Sequence, residues 1–367
     1  MKFFRKFLVP FSIIYGAIVF IRNYLYDTGK LKSSKFLIPI IGVGNLTTGG
    51  TGKTPHVEYI IKLLQNEFRI ATLSRGYGRR SKGYILAESP VNTHLIGDEP
   101  MQYHTKFKNI MVCVSEDRIE AIGNLLKKEI PPQVILMDDA YQHRKVIPGL
   151  NILLLEYDSI ISKDYLLPVG NLREPKSSIK RADIIIITKS PTILVPIERK
   201  RILENFQLNS NQTIYFSNIK YGEFNRIFGK DNSMQMAASY YTEKRFTILL
   251  VTGIANPSGI IEYLRRLTDK LEMLIFPDHH EFNNKDIDKI QQTFDNIVNP
   301  SKIIVTTEKD AMRLRNPDID RSIQKLPFFF LPIEVQIHQD EVKFNQMILD
   351  YVRKNQPNSR IHTRKNN

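Results

Sequence analysis

The chain has 367 residues, of which 42% are hydrophobic and 25% charged, and this composition predicts a folded, mostly soluble protein of two domains. A single cysteine, Cys113, excludes an internal disulfide and a cysteine-built metal site, and it favours a reducing compartment. The net charge of +14 indicates an anionic partner, and without a nucleic-acid-binding motif an anionic lipid or a phosphorylated substrate is favoured.

The N-terminal segment is apolar and has basic flanks. Phe7–Ile21 contains fifteen residues without a charge, comes after Arg5 and Lys6, and is closed by Arg22. This falls short of the ~20 residues that a spanning helix needs, and Pro10 interrupts it. The residues after Arg22 do not form the small-residue cleavage site of a secretory signal. We predict a helix lying in the membrane interface; the alternative is an amphipathic helix packed on the protein's own core.

A glycine-rich loop comes after the first predicted strand, in the sequence IPIIGVGNLTTGGTGKTPHVE. Free amides at a helix N-terminus cradle anions, Lys53 adds charge for the β- and γ-phosphates, and Thr54 offers a hydroxyl to Mg²⁺. The strict phosphate-loop pattern requires glycine at Thr47, and the MinD-like variant requires lysine at Thr48. The predicted nucleotide-binding residues are Thr48, Gly49, Gly50, Thr51, Gly52, Lys53 and Thr54.

Apolar runs alternate with helical stretches along the chain. The first series of predicted strands is Leu37–Val43, Arg69–Leu73, Asn109–Val114, Gln133–Met137, Asn151–Leu155 and Asp183–Thr188. Helices such as Thr54–Gln65 and Arg118–Lys128 lie between them, which predicts a doubly wound, mostly parallel sheet covered on both faces. A second series comprises Phe246–Thr252, Glu272–Phe276, Lys302–Thr306 and Phe328–Leu331.

The fold class predicted is α/β, with two α/β domains and a boundary near residue 215. Glu198–Glu243 has mixed polarity and is interpreted as a β-rich connector. We expect residues 1–30 to form the membrane-associating helix and residues 31–215 the domain that binds nucleotide and metal. Residues 216–340 form a second domain closing the cleft, and residues 341–367 a helix, Glu341–Lys354, with a disordered tail.

Two carboxylates, Asp138 and Asp139, end the apolar strand VILM. In a doubly wound sheet the carboxyl ends of the strands line the ligand crevice. A carboxylate at that position suits Mg²⁺ held against phosphate oxygens. The alternative, a pair of solvated turn acids, is weakened by the polar run directly after them, which includes Gln142.

Four further loops carry polar side chains of interest. SRGYGRR contains Arg75, which either binds phosphate or lies in a basic surface loop. In GDEP, Asp98 either accepts the proton of a hydroxyl or caps a helix. Arg118 of EDR faces phosphate or forms a salt bridge at a helix start. In LLPVGNLREP, Arg173 and Glu174 contact substrate or form an exposed ion pair.

Two segments of the second half are also candidates. FPDHHEF places two histidines beside acids, as a proton-transfer pair or metal ligands, and the lack of a nearby cysteine or third histidine disfavours zinc. TTEKD either binds nucleotide or caps the next helix. Thr188–Pro191 lacks the aspartate of a guanine-reading motif, so ATP is the predicted nucleotide.

In chain order, these motifs resemble the tetraacyldisaccharide 4'-kinase family of lipid A biosynthesis. They are GNLTTGGTGKTP, SRGYGRR, GDEP, EDR, DDAYQHRKV, LLPVGNLREP, VTGIANP, FPDHHEF and VTTEKDA, and the resemblance runs from about residue 3 to residue 314. The departures are mild. Ala140 and Tyr141 stand where the family usually has glycine and phenylalanine, and Asn171 interrupts the usual LLPAGPLREP.

The resemblance implies a P-loop kinase that uses ATP and Mg²⁺ to phosphorylate the 4'-hydroxyl of tetraacyldisaccharide 1-phosphate, which forms lipid IVA. It implies that the partners are this lipid-linked disaccharide and the membrane surface. It also implies a place on the cytoplasmic face of the Gram-negative inner membrane. We expect no nucleic acid and no obligatory protein partner.

The resemblance also assigns roles to individual residues. Lys53 serves catalysis, and Asp98 with His279 activates the hydroxyl; His279 is preferred to His280 because it comes directly after Asp278. The metal residues are Thr54, Asp138 and Asp139. Phosphate or substrate contacts are assigned to Arg75, Tyr77, Arg118, Gln142, Arg173 and Glu174.

Two other functions remain open at this point. A MinD-like ATPase would use the nucleotide to switch membrane binding, and the absence of lysine at Thr48 argues against it. A membrane-bound scaffold would carry a vestigial nucleotide loop, which the intact set of Thr54, Asp138 and Asp139 disfavours.

Overall fold

The computed structural model describes residues 7–356 except for 89, 162–163, 207, 229–237, 317–318 and 320. The first part of the chain contains α1 (Val9–Asp27), β1 (Ile40–Asn45), α2 (Lys53–Leu64), β2 (Ile70–Ser74), β3 (Ile85–Leu86), α3 (Thr93–Ile96), α4 (Asp98–Lys106), β4 (Met111–Val114), α5 (Arg118–Leu126), β5 (Val134–Asp138), β6 (Leu150–Glu156), α6 (Tyr157–Ile161), a 3₁₀ turn (Lys176–Arg181), β7 (Ile184–Thr188), α7 (Pro196–Glu204) and β8 (Thr213–Tyr221).

The second part begins just after β8. It contains β9 (Asn225–Arg226), α8 (Ala238–Glu243), β10 (Thr247–Thr252), α9 (Ser258–Leu267), β11 (Leu271–Ile275), α10 (Asn284–Asp295), β12 (Lys302–Thr307), α11 (Glu308–Leu314), a 3₁₀ turn (Arg321–Lys325), β13 (Phe328–Leu331), β14 (Ile333–Ile337) and α12 (Glu341–Lys354). The tail that was predicted to be disordered lies outside the described residues from 357 onward.

The larger sheet has nine strands in the order β14-β8-β7-β6-β1-β5-β2-β4-β3. The seven strands from β8 to β4 run parallel, and the antiparallel strands β14 and β3 form the two edges. Every residue of β1, β2, β5 and β7 is buried, as expected for parallel strands covered on both faces. This confirms the predicted doubly wound sheet.

The smaller sheet has five strands in the order β11-β10-β12-β13-β9. Its four longer strands are parallel, and the short β9 pairs antiparallel with β13. A separate hydrophobic core forms beneath it, in which Leu249 and Ile304 of the strands pack with Ile290 of α10. The predicted second α/β series is therefore present.

The domain boundaries differ from the predicted ones. β8 continues the larger sheet past residue 215, and β14 pairs with its outer edge. Phe344 and Ile348 of α12 are fully buried in the core of the larger sheet, where the ring of Phe344 lies 5.1 Å from that of Tyr215. The chain thus crosses to the smaller sheet after β8, which lies within the connector predicted over Glu198–Glu243, and it returns to the larger sheet after β13.

Helix α1 lies against the larger domain along one narrow face. Val19 is its one buried residue, and Ser12, Tyr15 and Arg22 make polar contacts with the segment around residues 166–174. A neighbouring row of apolar side chains is more than half exposed: Phe11, Ile14, Ile18 and Ile21. The helix has 19 residues, a mean hydropathy of 1.3 and 11% burial, so by length and composition alone it also satisfies the requirement for a membrane span. Its exposure argues against the alternative of a helix buried on the protein's own core.

Candidate active site

The glycine-rich loop connects buried strand β1 to helix α2. Gly49 (φ 109°) and Gly52 (φ 86°) occupy left-handed backbone conformations that side-chain-bearing residues rarely adopt. Gly52 is also the residue preceding the helix, and it offers no side chain to cap the first-turn amides. These amides are left for an anion, whose charge the helix N-terminus favours.

Lys53 lies between this loop and the predicted metal residues. Its Nζ is 3.3 Å from Oδ1 of Asn45 and 3.3 Å from Oδ1 of Asp139. The sheet register explains the proximity, because Val43 of β1 pairs with Asp138 at the end of β5. Thr54, half-buried in the first turn of α2, belongs to the same end of the sheet. The predicted lysine and the two carboxylates therefore lie together at one end of the sheet.

The two carboxylates differ in their surroundings. Burial raises the pKa of Asp138 to about 6 against the opposing charge of Lys53, and its Oδ2 accepts a hydrogen bond of 2.8 Å from Tyr103. Burial also acts to raise the pKa of Asp139, but the charges of Lys53 and Arg173 outweigh this effect and lower the pKa. Arg173 Nη1 lies 3.2 and 3.0 Å from the two oxygens of Asp139. The two carboxylates, Asp138 and Asp139, together form a site that attracts a cation.

Arg118 has spare hydrogen-bonding capacity beside these carboxylates. It is 3% exposed, and Nη2 donates to the backbone oxygen of Asp138 at 3.2 Å. Within the described part of the chain, its Nε and Nη1 have no partner. Burial lowers the pKa of this guanidinium to about 10, so it remains charged at neutral pH. An anionic ligand would satisfy buried donors of this kind. Gln142 donates to the backbone oxygen of Asn45 at 2.8 Å.

Three predicted substrate residues lie elsewhere in the cleft or away from it. Arg75 and Tyr77 are exposed in the loop after β2, and the Tyr77 ring lies 4.9 Å from that of His279. Glu174, by contrast, is fully buried, and its carboxylate faces Arg22 of α1, at 3.0 Å, and Arg181. Its predicted position as a substrate contact is therefore not supported, because both oxygens are occupied by protein donors.

Asp98 and His279 come together from different domains. Asp98 begins α4, His279 lies in the loop after β11, and Nδ1 of the histidine is 3.4 Å from Oδ2 of the aspartate. Burial works to raise the pKa of Asp98, but the contacts of its carboxylate with His279 and Arg313 lower it to about 2. Asp98 is consequently ionised at neutral pH.

The neighbouring histidine is engaged differently. Nε2 of His280 is 2.9 Å from Oδ2 of Asp286, and its ring stacks on Phe276 at 4.7 Å. Asp286 also receives the backbone amide of Asn283 at the start of α10. His280 therefore stabilises the loop, and His279 is the histidine that the structure brings to Asp98.

Arg313 is the main residue of this region that the sequence analysis did not identify. Its Nε and Nη2 donate to Oδ2 of Asp98 at 2.8 and 2.6 Å, and Nη1 donates to buried Asp310 at 2.8 Å. The TTEKD segment itself caps α11, since Thr307 Oγ1 accepts from the amide of Asp310 at 3.1 Å. The one signal in the sequence is the three-residue spacing from Asp310 to Arg313, which places both on one helix face.

The residues at the end of β1 and β5 fit a magnesium nucleotide. In the described residues, no group of three or more histidine, cysteine or acidic side chains is arranged to hold a metal ion. Mg²⁺ does not require one, because it is usually held by one or two carboxylates together with phosphate oxygens and water. Asp138 and Asp139 supply the carboxylates, and the unpartnered nitrogens of Arg118 with the free amides of α2 suit the phosphates.

A strand–glycine loop–helix unit with a lysine, a hydroxyl and carboxylates on the adjacent strand defines a P-loop phosphotransferase. Comparison with known proteins specifies the family. The model of the tetraacyldisaccharide-1-P 4'-kinase (LpxK) family matches residues 4–353. The chain therefore belongs to this family, whose members phosphorylate the 4' position in lipid A biosynthesis.

Individual relatives are similar over nearly their whole length. A tetraacyldisaccharide 4'-kinase of Bacteroides thetaiotaomicron is 45% identical over 374 residues, covering 99% of this chain and 97% of the relative. That of Bacteroides fragilis is 46% identical over 367 residues, covering 98% and 96%. The crystal structure of LpxK from Aquifex aeolicus in complex with ATP is 30% identical, with a TM-score of 0.71 and coverage of 95% of this chain and 99% of that one. The family resemblance and the fold class are thus confirmed.

Proposed function

We propose that this chain transfers the γ-phosphate of ATP to the 4'-hydroxyl of tetraacyldisaccharide 1-phosphate, which produces lipid IVA. The observation that carries the proposal is the cluster of Lys53, Asp138 and Asp139 at the glycine-rich loop, with the Lys53–Asp139 distance of 3.3 Å. Family membership supplies the acceptor, and the cluster supplies the means of phosphoryl transfer.

Helix α4 connects the phosphate site with the Asp98–His279 pair. Asp98 is its first residue, and five residues later Tyr103 donates to Asp138. Five residues of helix rise by about 7.5 Å. One rigid element thus sets the spacing between the carboxylate that faces the acceptor hydroxyl and the carboxylates beside the phosphates.

Asp98 orients the 4'-hydroxyl by accepting its hydrogen bond, and His279 holds the other side of the acceptor. A carboxylate with a pKa near 2 is a weak base. Phosphoryl transfer passes through a loose transition state, so it needs an oriented nucleophile and charge stabilisation more than an early proton transfer.

The remaining polar residues bind phosphate and metal. Lys53 and Arg118 stabilise negative charge on the phosphate oxygens. Thr54, Asp138 and Asp139 would hold Mg²⁺, which, when bound, would neutralise the charge that develops on these oxygens. The loop residues Thr48, Gly49, Gly50, Thr51 and Gly52 enclose the triphosphate. Arg75, Tyr77, Gln142 and Arg173 contact phosphate or disaccharide at the rim.

The exposed apolar row of α1 places the enzyme at its substrate. Phe11, Ile14, Ile18 and Ile21 enter the lipid, and the basic surface of the chain favours anionic headgroups. The site then opens to the cytoplasmic face of the inner membrane, where ATP is present. The acceptor reaches the cleft from the bilayer.

The test is product formation from radiolabelled ATP and detergent-solubilised tetraacyldisaccharide 1-phosphate, with the product identified by mass spectrometry. We expect label at the 4' position with the wild-type chain and none above background with Lys53→Ala. ATP hydrolysis that neither depends on the disaccharide nor labels it would replace the kinase with a MinD-like ATPase.

A further inference from the structure

The face of α1 that docks on the protein contacts a segment of the phosphate site. Ser12 Oγ donates to the backbone oxygen of Leu166 at 2.8 Å, and Tyr15 OH donates to the backbone oxygen of Arg173 at 2.9 Å. Space is tight here, because a Cβ at Gly16 would lie 2.9 Å from the Leu166 side chain. The helix therefore has a defined docking position on this segment.

The same segment holds the glycine-rich loop from the other side. The amide of Thr48 donates to the oxygen of Asn171 at 2.7 Å, and the amide of Arg173 donates to the oxygen of Leu46 at 2.7 Å. The Arg173 guanidinium continues to Asp139, which also faces Lys53. Residues 171–173 thus lie between the membrane-facing helix and the phosphate site, and they touch both.

A buried ion pair fixes the end of this segment. Glu174 is fully buried between Arg22 of α1 and Arg181, and Asn23 also approaches it at 3.4 Å. Arg181 in turn lies over the Tyr141 ring at 4.5 Å. A fully buried carboxylate is costly unless its partners stay in place, so the seat of α1 is strongly specified.

We propose that Tyr15 and Arg22 are positioning residues of the phosphate site, which act through the backbone of Arg173 and the carboxylate of Glu174. By seating residues 171–174, they set where Arg173 holds Asp139 and where the glycine-rich loop rests. This deepens the proposed function, on which it rests in part. It assigns α1 two separable roles on different side chains, one toward lipid and one toward nucleotide.

The experiment compares Tyr15→Phe with Tyr24→Phe on the same helix. Tyr24 is 52% exposed, so removing its hydroxyl is the matched control. Loss of one neutral hydrogen bond predicts about fivefold weaker binding of a fluorescent ATP analogue with Mg²⁺ for Tyr15→Phe, and wild-type affinity for Tyr24→Phe. Amide hydrogen exchange of the peptides around residues 46–48 and 171–174 should become faster in Tyr15→Phe alone.

Arg22→Gln and Arg22→Lys provide the second pair. We expect about tenfold weaker nucleotide binding for Arg22→Gln and partial recovery for Arg22→Lys, because lysine keeps the charge opposite Glu174. Sedimentation with vesicles of anionic phospholipid should remain at the wild-type level for all four variants, since the exposed apolar row is intact.

The proposal is overturned if Tyr15→Phe and Arg22→Gln reduce vesicle binding while nucleotide affinity and exchange rates stay at wild-type values. In that case α1 is an anchor alone. Failure of the proposed function looks different: the wild-type chain would bind the nucleotide and leave the disaccharide unphosphorylated. The nucleotide-affinity and exchange results still decide the role of Tyr15 and Arg22 in that event.

Discussion

The phosphate site and the Asp98–His279 pair are built in different ways. Lys53 begins the helix that comes after β1, and Asp138 and Asp139 lie at the end of the adjacent strand β5. Both strands belong to one buried sheet, whose register places Val43 beside Asp138. Asp98 and His279 come from separate domains and meet across the boundary between them. The first site is therefore set by the core of one domain, whereas the second exists only while the two domains are in contact.

Arg313 is the residue that makes this second site depend on the domain contact. It donates twice to Asp98 of the larger domain and once each to Asp310 and the Gly253 oxygen of its own domain. A second connection lies alongside, where Lys309 Nζ is 2.6 Å from Glu99. Nucleotide binding and orientation of the acceptor hydroxyl should therefore respond differently to mutation.

The largest effect should come from the phosphate site. Lys53→Ala or Asp138→Asn should lower kcat/KM by a factor corresponding to roughly 3–5 kcal/mol of transition-state stabilisation, the order found for removal of one electrostatic group. Steady-state kinetics at saturating Mg²⁺ measures this. A loss of less than about tenfold, or roughly 1.4 kcal/mol, contradicts the roles assigned to both residues.

The cross-domain pair should separate catalysis from nucleotide binding. Asp98→Asn should lower kcat by about a hundredfold, the order found for removal of one positioned electrostatic group, because the acceptor hydroxyl loses its ionised hydrogen-bond acceptor. The affinity for ATP should stay close to the wild-type value, since the phosphate site belongs to one domain. Parallel measurement of kcat and nucleotide affinity checks this; equal losses in both would show that the two sites are not independent.

This difference also explains what the sequence could predict. The glycine-rich loop, Lys53 and the Asp138–Asp139 pair are local patterns, and parallel strand order brings their ends together. Ten strands, β1, β2, β4–β7 and β10–β13, were predicted to within a few residues for the same reason, because apolar runs of this length are typical of strands in buried parallel sheets. The edge strands β3, β9 and β14 were not predicted.

Long-range contacts were not accessible in this way. Nothing near Arg313 in the sequence indicates that it meets Asp98, 215 positions away. Glu174 comes directly after Arg173 in a polar loop, yet the backbone turns its side chain into the interior toward Arg22, 152 positions away. The predicted position of the domain boundary differs from the structure for the same reason, because β14 and α12 return to the larger sheet through contacts that no local pattern encodes.

Replacing Arg313 should change the acid behaviour of Asp98. The folded-state pKa of about 2 lies below the ordinary value of about 3.9, so ionisation of Asp98 stabilises the fold above pH ~4, and this contribution is lost as the pH falls toward 2. Arg313→Gln should raise that pKa toward the ordinary value, so that less stability is lost between pH ~4 and about 2, and kcat should be roughly tenfold lower. Unfolding free energies between pH ~2 and about 6 measure the change.

Arg315→Gln, one residue past the same helix, is the matched control because Arg315 donates to the Ile227 oxygen and not to Asp98. In Arg315→Gln, the loss of unfolding free energy at acid pH should equal that of the wild type. If both variants change the loss of unfolding free energy at acid pH equally, Arg313 acts on Asp98 through helix stability and not through its charge.

The smallest effect concerns a third polar link between the domains, formed by Lys106. Lys106 Nζ lies 2.7 Å from Glu58 on α2 and 3.0 Å from Glu308 on α11. Burial raises the pKa of Glu58 to about 7 despite this lysine. The folded state then binds more protons than the unfolded state between pH ~4.3 and about 7, so stability falls as the pH rises through that window.

Glu58→Gln should flatten this slope, by on the order of 1–2 kcal/mol across the window, as measured by chemical denaturation at several pH values. Glu88→Gln, which removes an exposed carboxylate paired with Lys128, is the control and should leave the slope unchanged. A wild-type slope in Glu58→Gln would assign the pH dependence to another group. Because Lys106 keeps Glu308 as a partner in this variant, the contact between the domains should survive and kcat should change little, in contrast to Arg313→Gln.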